Sequence, residues 1–84
     1  MNRNEFNKKK KEIDLIATEF NWIAISNDPE CGRLSYSDEL SIYRIDIYTS
    51  KMTVCILPKG SKAIYKKRLP YQKIKKIFQN PYKY

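Results

Sequence analysis

Leu40–Thr49 and Lys51–Leu57, reading LSIYRIDIYT and KMTVCIL, decide the fold. In the first run Tyr43, Ile45 and Ile47 alternate with Ile42, Arg44, Asp46 and Tyr48. A side-chain period of two is the mark of a strand with one face turned to a core. The second run is β-branched and apolar, and its Thr53 and Cys55 join the Arg44 side when the two runs pair. The turn between them, Thr49-Ser50-Lys51, permits only antiparallel pairing, because a parallel crossover needs about a dozen residues or more.

Working outward, the same chemistry recurs. Trp22–Ser26 and Arg33–Tyr36 precede this hairpin and Lys62–Lys67 follows it, each short and rich in β-branched or aromatic residues. Asn27-Asp28-Pro29 with Gly32, then Ser37-Asp38-Glu39, then Pro58-Lys59-Gly60 supply the turns. The expected outcome is a four- to five-stranded antiparallel meander, with the first two runs the weakest. In the last run Lys62, Ile64 and Lys66 share one face and Ala63, Tyr65 and Lys67 the other.

Outside the strands the period lengthens. Phe6, Ile13, Ile16, Ala17 and Phe20 form a stripe at helical spacing, which predicts a helix over Asn4–Phe20, about 25 Å long. Lys8 and Lys11 fall on its wet side and Lys9 and Lys10 flank the stripe, so the four-lysine run reads as a solvated first turn. Pro70 opens a second helix with Tyr71, Ile74, Ile77 and Phe78 inward, and Asn80-Pro81 ends it. Lys73 and Lys76 share its outer flank, with Lys75 on the opposite edge. The fold class is therefore α+β: a single compact domain over residues 1–84, with residues 1–3 and 82–84 free to fray. The two helices are expected to cover one face of the sheet and leave the other open.

Length and composition remove several function classes. A chain of 84 residues has room for one domain. No apolar run approaches the ~20 residues of a membrane span. The first twenty residues mix Lys8–Lys11 with Glu12, Asp14 and Glu19, unlike a secretory or transit signal, which places the chain in the cytoplasm or nucleus. Two cysteines are too few for a disulfide-stapled secreted domain. Cys55 reads as a small core residue and Cys31 as a loop residue beside Gly32. With no histidine there is no imidazole base, no Ser-His-Asp or Cys-His arrangement, and no usual zinc donor set. The one catalytic option is a carboxylate–metal nuclease built from Asp38, Glu39 and Asp46 with Lys51. Asp38-Glu39 reads better as turn acids, and Asp46 as the ion-pair partner of a lysine on a neighbouring strand. Gly32 and Gly60 are the only glycines, so phosphate-binding glycine loops and a KH-type GxxG are excluded; RRM aromatic signatures and zinc-finger spacings are also missing. No enzyme, metal, cofactor or small-molecule substrate is expected.

The charge is what remains. Residues 1–46 hold seven basic side chains against nine acidic ones, a net −2, whereas residues 47–84 hold ten basic and no acidic, a net +10. A codon bias that favours Lys over Arg does not explain 38 residues without Asp or Glu. Segregation of this kind creates a field that draws polyanions. The densest cluster is Lys62-Ala63-Ile64-Tyr65-Lys66-Lys67-Arg68, followed by the helix bearing Lys73 and Lys76, with Lys59 in the turn before it. Arg44 and Tyr48 on the open strand face, with Tyr65, offer a cation and rings for stacking. Helix amides beside Arg68 and Lys67 are placed to hold a phosphate. The expected function is non-catalytic, sequence-tolerant binding of RNA or DNA through Arg44, Tyr48, Lys59, Lys62, Tyr65, Lys66, Lys67, Arg68, Lys73 and Lys76. The alternative is a protein–protein module, an inhibitor, adaptor or subunit, whose basic surface docks on an acidic partner. Membrane attachment is disfavoured because the second helix is short and lacks a broad exposed apolar face.

Overall fold

Asn2 sets where the chain first becomes regular. In a computed structural model that describes residues 2–84, its side chain accepts a hydrogen bond from the Glu5 amide at 2.8 Å and so caps helix α1, Arg3–Glu19. This capping moves the helix one residue earlier than the apolar stripe indicates. Strands β1 (Ile23–Asp28), β2 (Arg33–Ser37), β3 (Tyr43–Tyr48), β4 (Thr53–Pro58) and β5 (Ile64–Lys66) follow, then helix α2 (Tyr71–Gln79) and a 3-10 turn over Pro81–Lys83. Of the terminal residues expected to fray, Met1 lies outside those described, Asn2 and Arg3 start α1, and the C-terminal ones enter the 3-10 turn. No helix among the described residues is long and apolar enough to cross a membrane.

The five strands form one antiparallel sheet in the order β1-β2-β3-β4-β5, a meander in which each strand pairs only with its sequence neighbours. Register fixes which side chains share a face. Leu34 pairs with Ile47, and Ile47 with Val54; Tyr36 pairs with Ile45, and Ile45 with Ile56. All six are buried in one cluster with Phe6, Ile13 and Ala17 of α1 and Ile74, Ile77 and Phe78 of α2. Both helices therefore lie over the same face, and each of these large side chains contributes about 1.5–3 kcal/mol by leaving water.

Turn chemistry explains where the strands depart from the sequence runs. Leu40–Ile42 drop out of β3 because the Asp38 carboxylate accepts from the Ile42 and Tyr43 amides, and Ser41 takes a left-handed φ of 56°. Met52, at φ 50°, belongs to the β3–β4 turn rather than to β4. Gly32, at φ 72°, is needed as glycine on two counts: the left-handed backbone, and a Cβ that would stand 3.0 Å from the Thr49 hydroxyl oxygen. That hydroxyl donates to the Gly32 carbonyl at 2.7 Å and ties the β1–β2 turn to the β3–β4 turn. At the sheet's first edge β1 carries a bulge between Ala24 and Ser26 and leaves Ile23 and Ile25 exposed.

Three contacts fasten the helices. The Lys9 amine donates to the Thr49 carbonyl, the Trp22 indole N–H donates to the Phe78 carbonyl, and the Tyr36 hydroxyl donates to Asp14, whose second oxygen accepts from Lys10. Phe78 stands edge-on to both Trp22 and Tyr36, with ring centroids 5.3 Å away in each case. Replacing this buried ring, Phe78→Ala, is expected to cost about 3–5 kcal/mol in urea denaturation, a large share of the stability of so small a domain.

Burial and the bond to Asp14 push the Tyr36 phenol well above its ordinary value. A group harder to ionise in the native state than in the unfolded one gives stability that is complete below the ordinary tyrosine value of about 10 and is lost as pH rises above it. The urea midpoint is accordingly expected to fall as pH is raised above about 10. The fall should be shallower in Tyr36→Phe.

Candidate functional site

The face of the sheet away from the helices is built in rows by the same register. Arg33, Tyr48 and Thr53 form one row; Ser35, Asp46, Cys55 and Tyr65 the next; Ser37, Arg44 and Leu57 the third. No helix covers this face, yet the middle row is almost sealed: Ser35 is 0%, Asp46 7% and Cys55 4% exposed. Side chains from the neighbouring positions provide the cover.

Arg44 lies over the row from one side. Its Nε donates to Asp46 at 2.9 Å and a terminal nitrogen donates to the Ser35 hydroxyl at 3.4 Å. The partner of Asp46 is thus an arginine two residues away on its own strand, not a lysine on a neighbouring one as its sequence context implies. Residues i and i+2 of a strand share a face, which makes this local pairing available. Tyr65 closes the other side. Directly opposite Cys55 in the register, it is 62% exposed. Cys55 is therefore buried on the Arg44 side, where the alternation puts it, and not in the helix-covered core as a small core residue. Burial first, with the Asp46 charge adding, raises its thiol pKa; the Tyr65 and Arg44 contacts pull the other way without prevailing.

The cations of the C-terminal half line the β5 edge. Lys59 and Lys62 stand at one end, where the Lys59 amide donates to the Ile42 carbonyl. Lys66, Lys67 and Arg68 stand at the other end, where the next amide, Leu69, donates to the Met52 carbonyl. Lys62 and Lys66 are four residues apart, at most about 14 Å at 3.4 Å per residue, and Lys59 and Arg68 lie beyond them, so the cations form a strip rather than one cluster. Lys66 pairs with the core residue Val54 and so points to the helix side, its amine 5.9 Å over the Tyr84 ring. Lys67, Arg68, Lys73 and Lys76 are exposed. Lys75 reaches Glu19 of α1 at 3.6 Å, which turns the flank bearing Lys73 away from α1. Among the described residues no acidic side chain pairs with Lys59, Lys62, Lys66, Lys67, Arg68, Lys73 or Lys76.

The ten residues singled out in the sequence divide between two surfaces. Arg44, Tyr48 and Tyr65 share the open face; the seven others follow the β5 edge and α2. One residue joins the open face unannounced: Arg33, beside Tyr48 in the first row. It sits in the half of the chain with net negative charge, and only its register with β3 reveals it. The carboxylates considered for a nuclease do not converge. Asp38 and Glu39 belong to the β2–β3 loop, Lys51 to the turn at the opposite end of β3, and Asp46 to Arg44. No helix-capping side chain closes the start of α2, whose N-cap is Pro70.

Compared with protein-family models, curated proteins and solved structures, the chain matches none.

The cover over the middle row is open to a direct check. With a disulfide thiol reagent, exposed Cys31 is expected to react promptly and Cys55 only on unfolding. Tyr65→Ala should bring Cys55 within reach of the reagent in the folded protein.

Proposed function

We propose that this protein binds nucleic acid without catalysing a reaction, holding the phosphate backbone along its β5 edge largely without regard to sequence. The observation that supports this reading is the separation of charge carried into three dimensions. Seven cations line one edge and its adjoining helix, and no carboxylate among the described residues neutralises them. Lys66 on the helix side and exposed Lys67, just past the end of β5, continue the charge along that edge. Arg68 adjoins the uncapped first turn of α2, whose amides add donors suited to a phosphate oxygen. Six of the seven are lysines, whose compact charge suits phosphates better than the paired contacts that read bases.

A second reading, in which the same edge docks on an acidic protein, draws on exposed Leu40 and Ile42, apolar side chains that serve no purpose on a phosphate backbone.

Fluorescence anisotropy with labelled RNA and DNA across a salt series separates the two. If five cations engage phosphates, log affinity should fall against log salt with a slope of roughly −3.5 for single strands and −4.5 for duplex. Replacing Lys66, Lys67 and Arg68 together by Ala is expected to flatten that slope by about 1 per cation removed. As surface changes they should leave stability within roughly 0.5 kcal/mol. Absence of binding at low salt, with a partner complex that survives nuclease treatment, would establish the protein-docking reading instead.

A further inference from the structure

The open face carries a tethered guanidinium and two tyrosine rings, a feature that phosphate binding alone does not use. Arg44 is fixed at two points, on Asp46 of its own strand and on Ser35 of β2. Its charge is matched by Asp46, which makes it a poor phosphate ligand and leaves a planar guanidinium lying on the sheet. Tyr65 reaches from β5 toward Cys55 on β4, and Cys55 is 4% exposed where no helix lies above it. The Tyr65 ring, 62% exposed beside a nearly sealed residue on an uncovered face, presents its surface to solvent there. Tyr48 adds a half-buried ring in the adjoining row.

We infer that the open face is a stacking platform for the unpaired bases of a single strand, with Tyr65 and Arg44 as its two main planes. The inference rests on the nucleic-acid reading above and specifies which nucleic acid the protein takes.

Spacing selects the single strand. The guanidinium sits over β2 and β3, and the phenol stands on β5, opposite Cys55 of β4. With strands about 4.8 Å apart, the two planes are roughly 10 Å from each other along the sheet. Bases in one strand of a duplex step by only ~3.4 Å. Bases on these two planes must therefore be splayed apart, which an unpaired strand allows and a duplex does not. A sheet face is also too broad to enter a groove that admits one helix or a two-stranded ribbon. The basic edge at β5 adjoins Tyr65, so a backbone following Lys66, Lys67 and Arg68 leaves its bases beside the ring. Stacking on aromatic and guanidinium planes tolerates any base, in keeping with a site poor in base-reading arginines.

The test compares one oligonucleotide as a single strand and as its duplex, against the wild type, Tyr65→Leu, Tyr65→Phe and the Lys66/Lys67/Arg68 alanine triple variant. Single-strand affinity is expected to exceed duplex affinity. Tyr65→Leu, which keeps Cys55 covered by an apolar side chain, should weaken single-strand binding by roughly 5- to 150-fold and leave duplex binding unchanged. Tyr65→Phe should retain single-strand binding, because the ring and not the hydroxyl does the stacking. Duplex binding equal to or tighter than single-strand binding, or indifference to Tyr65→Leu while the triple variant still weakens binding, overturns the platform and leaves the phosphate-binding edge standing. Failure of the wild type to bind either form at low salt overturns the nucleic-acid reading itself.

Discussion

Phe78 meets Trp22 and Tyr36 edge-on, and the rest of the architecture is arranged around that three-ring contact. Trp22 precedes β1, Tyr36 sits in β2, and Phe78 comes from the last turn of α2, so one contact joins the two ends of the chain to the sheet. The Trp22 indole N–H donates to the Phe78 carbonyl and satisfies its one polar atom at the same place. With α2 fixed there, its inner side chains join the core over the sheet, and its flank turned from α1 carries Lys73 outward. The placement of the basic helix therefore follows from an apolar contact at its far end.

Two short helices cover one face of a five-stranded sheet and leave the other without an apolar layer. The chain meets that deficit with small polar residues under flat covers. Ser35, Asp46 and Cys55 are short enough to lie beneath larger neighbours, and Arg44 engages the first two by hydrogen bonds while Tyr65 stands opposite the third. An apolar middle row would have formed an exposed greasy strip or required a third layer. A carboxylate left alone at 7% exposure would be costly, and the guanidinium beside it offsets that cost. The same arrangement that closes the sheet also sets planar groups on its surface. Structure and recognition draw on the same side chains here, which is why Arg44 and Tyr65 matter more than their neighbours.

Much of this was legible in the residues. Alternation in Tyr43–Tyr48 identified both faces of β3, and the 3.6-residue stripe of α1 correctly divided Lys9 and Lys10 from Lys8 and Lys11. Pairing only between neighbours followed from the brevity of the turns. What the sequence hid was set by geometry that no local pattern encodes. Asn21, Ser41, Met52 and Arg68 take left-handed backbone without being glycine, so the strand ends they define lacked the usual markers. The choice of Arg44 over a lysine as partner for Asp46 depends on the reach of a rotamer within one strand. Cys55 looked like core because buried thiols usually are; its place opposite Tyr65 needs the β4–β5 register. Arg33 was overlooked because charge was counted along the chain, whereas a sheet brings β2 beside β3 irrespective of which half each belongs to. The division of the cationic residues into an edge strip and an open face was hidden for the same reason.

A sheet threaded in simple sequence order has a kinetic meaning as well. Every strand-to-strand contact here closes a loop of only a few residues, and short loops cost little chain entropy to close. Hairpins of this type form in about 1–10 μs, so the sheet can zip from any turn without waiting for a distant segment. The longest closure is the docking of the C-terminal helix, 56 residues apart in sequence at the Trp22–Phe78 contact. The expected order of events is a meander assembled from local contacts, then a slower capture of its apolar face by the two ends of the chain. Until that capture, the aromatic side chains that later form the three-ring contact stay in water, and the early sheet is a species whose lifetime depends on how fast its last nine-residue helix arrives.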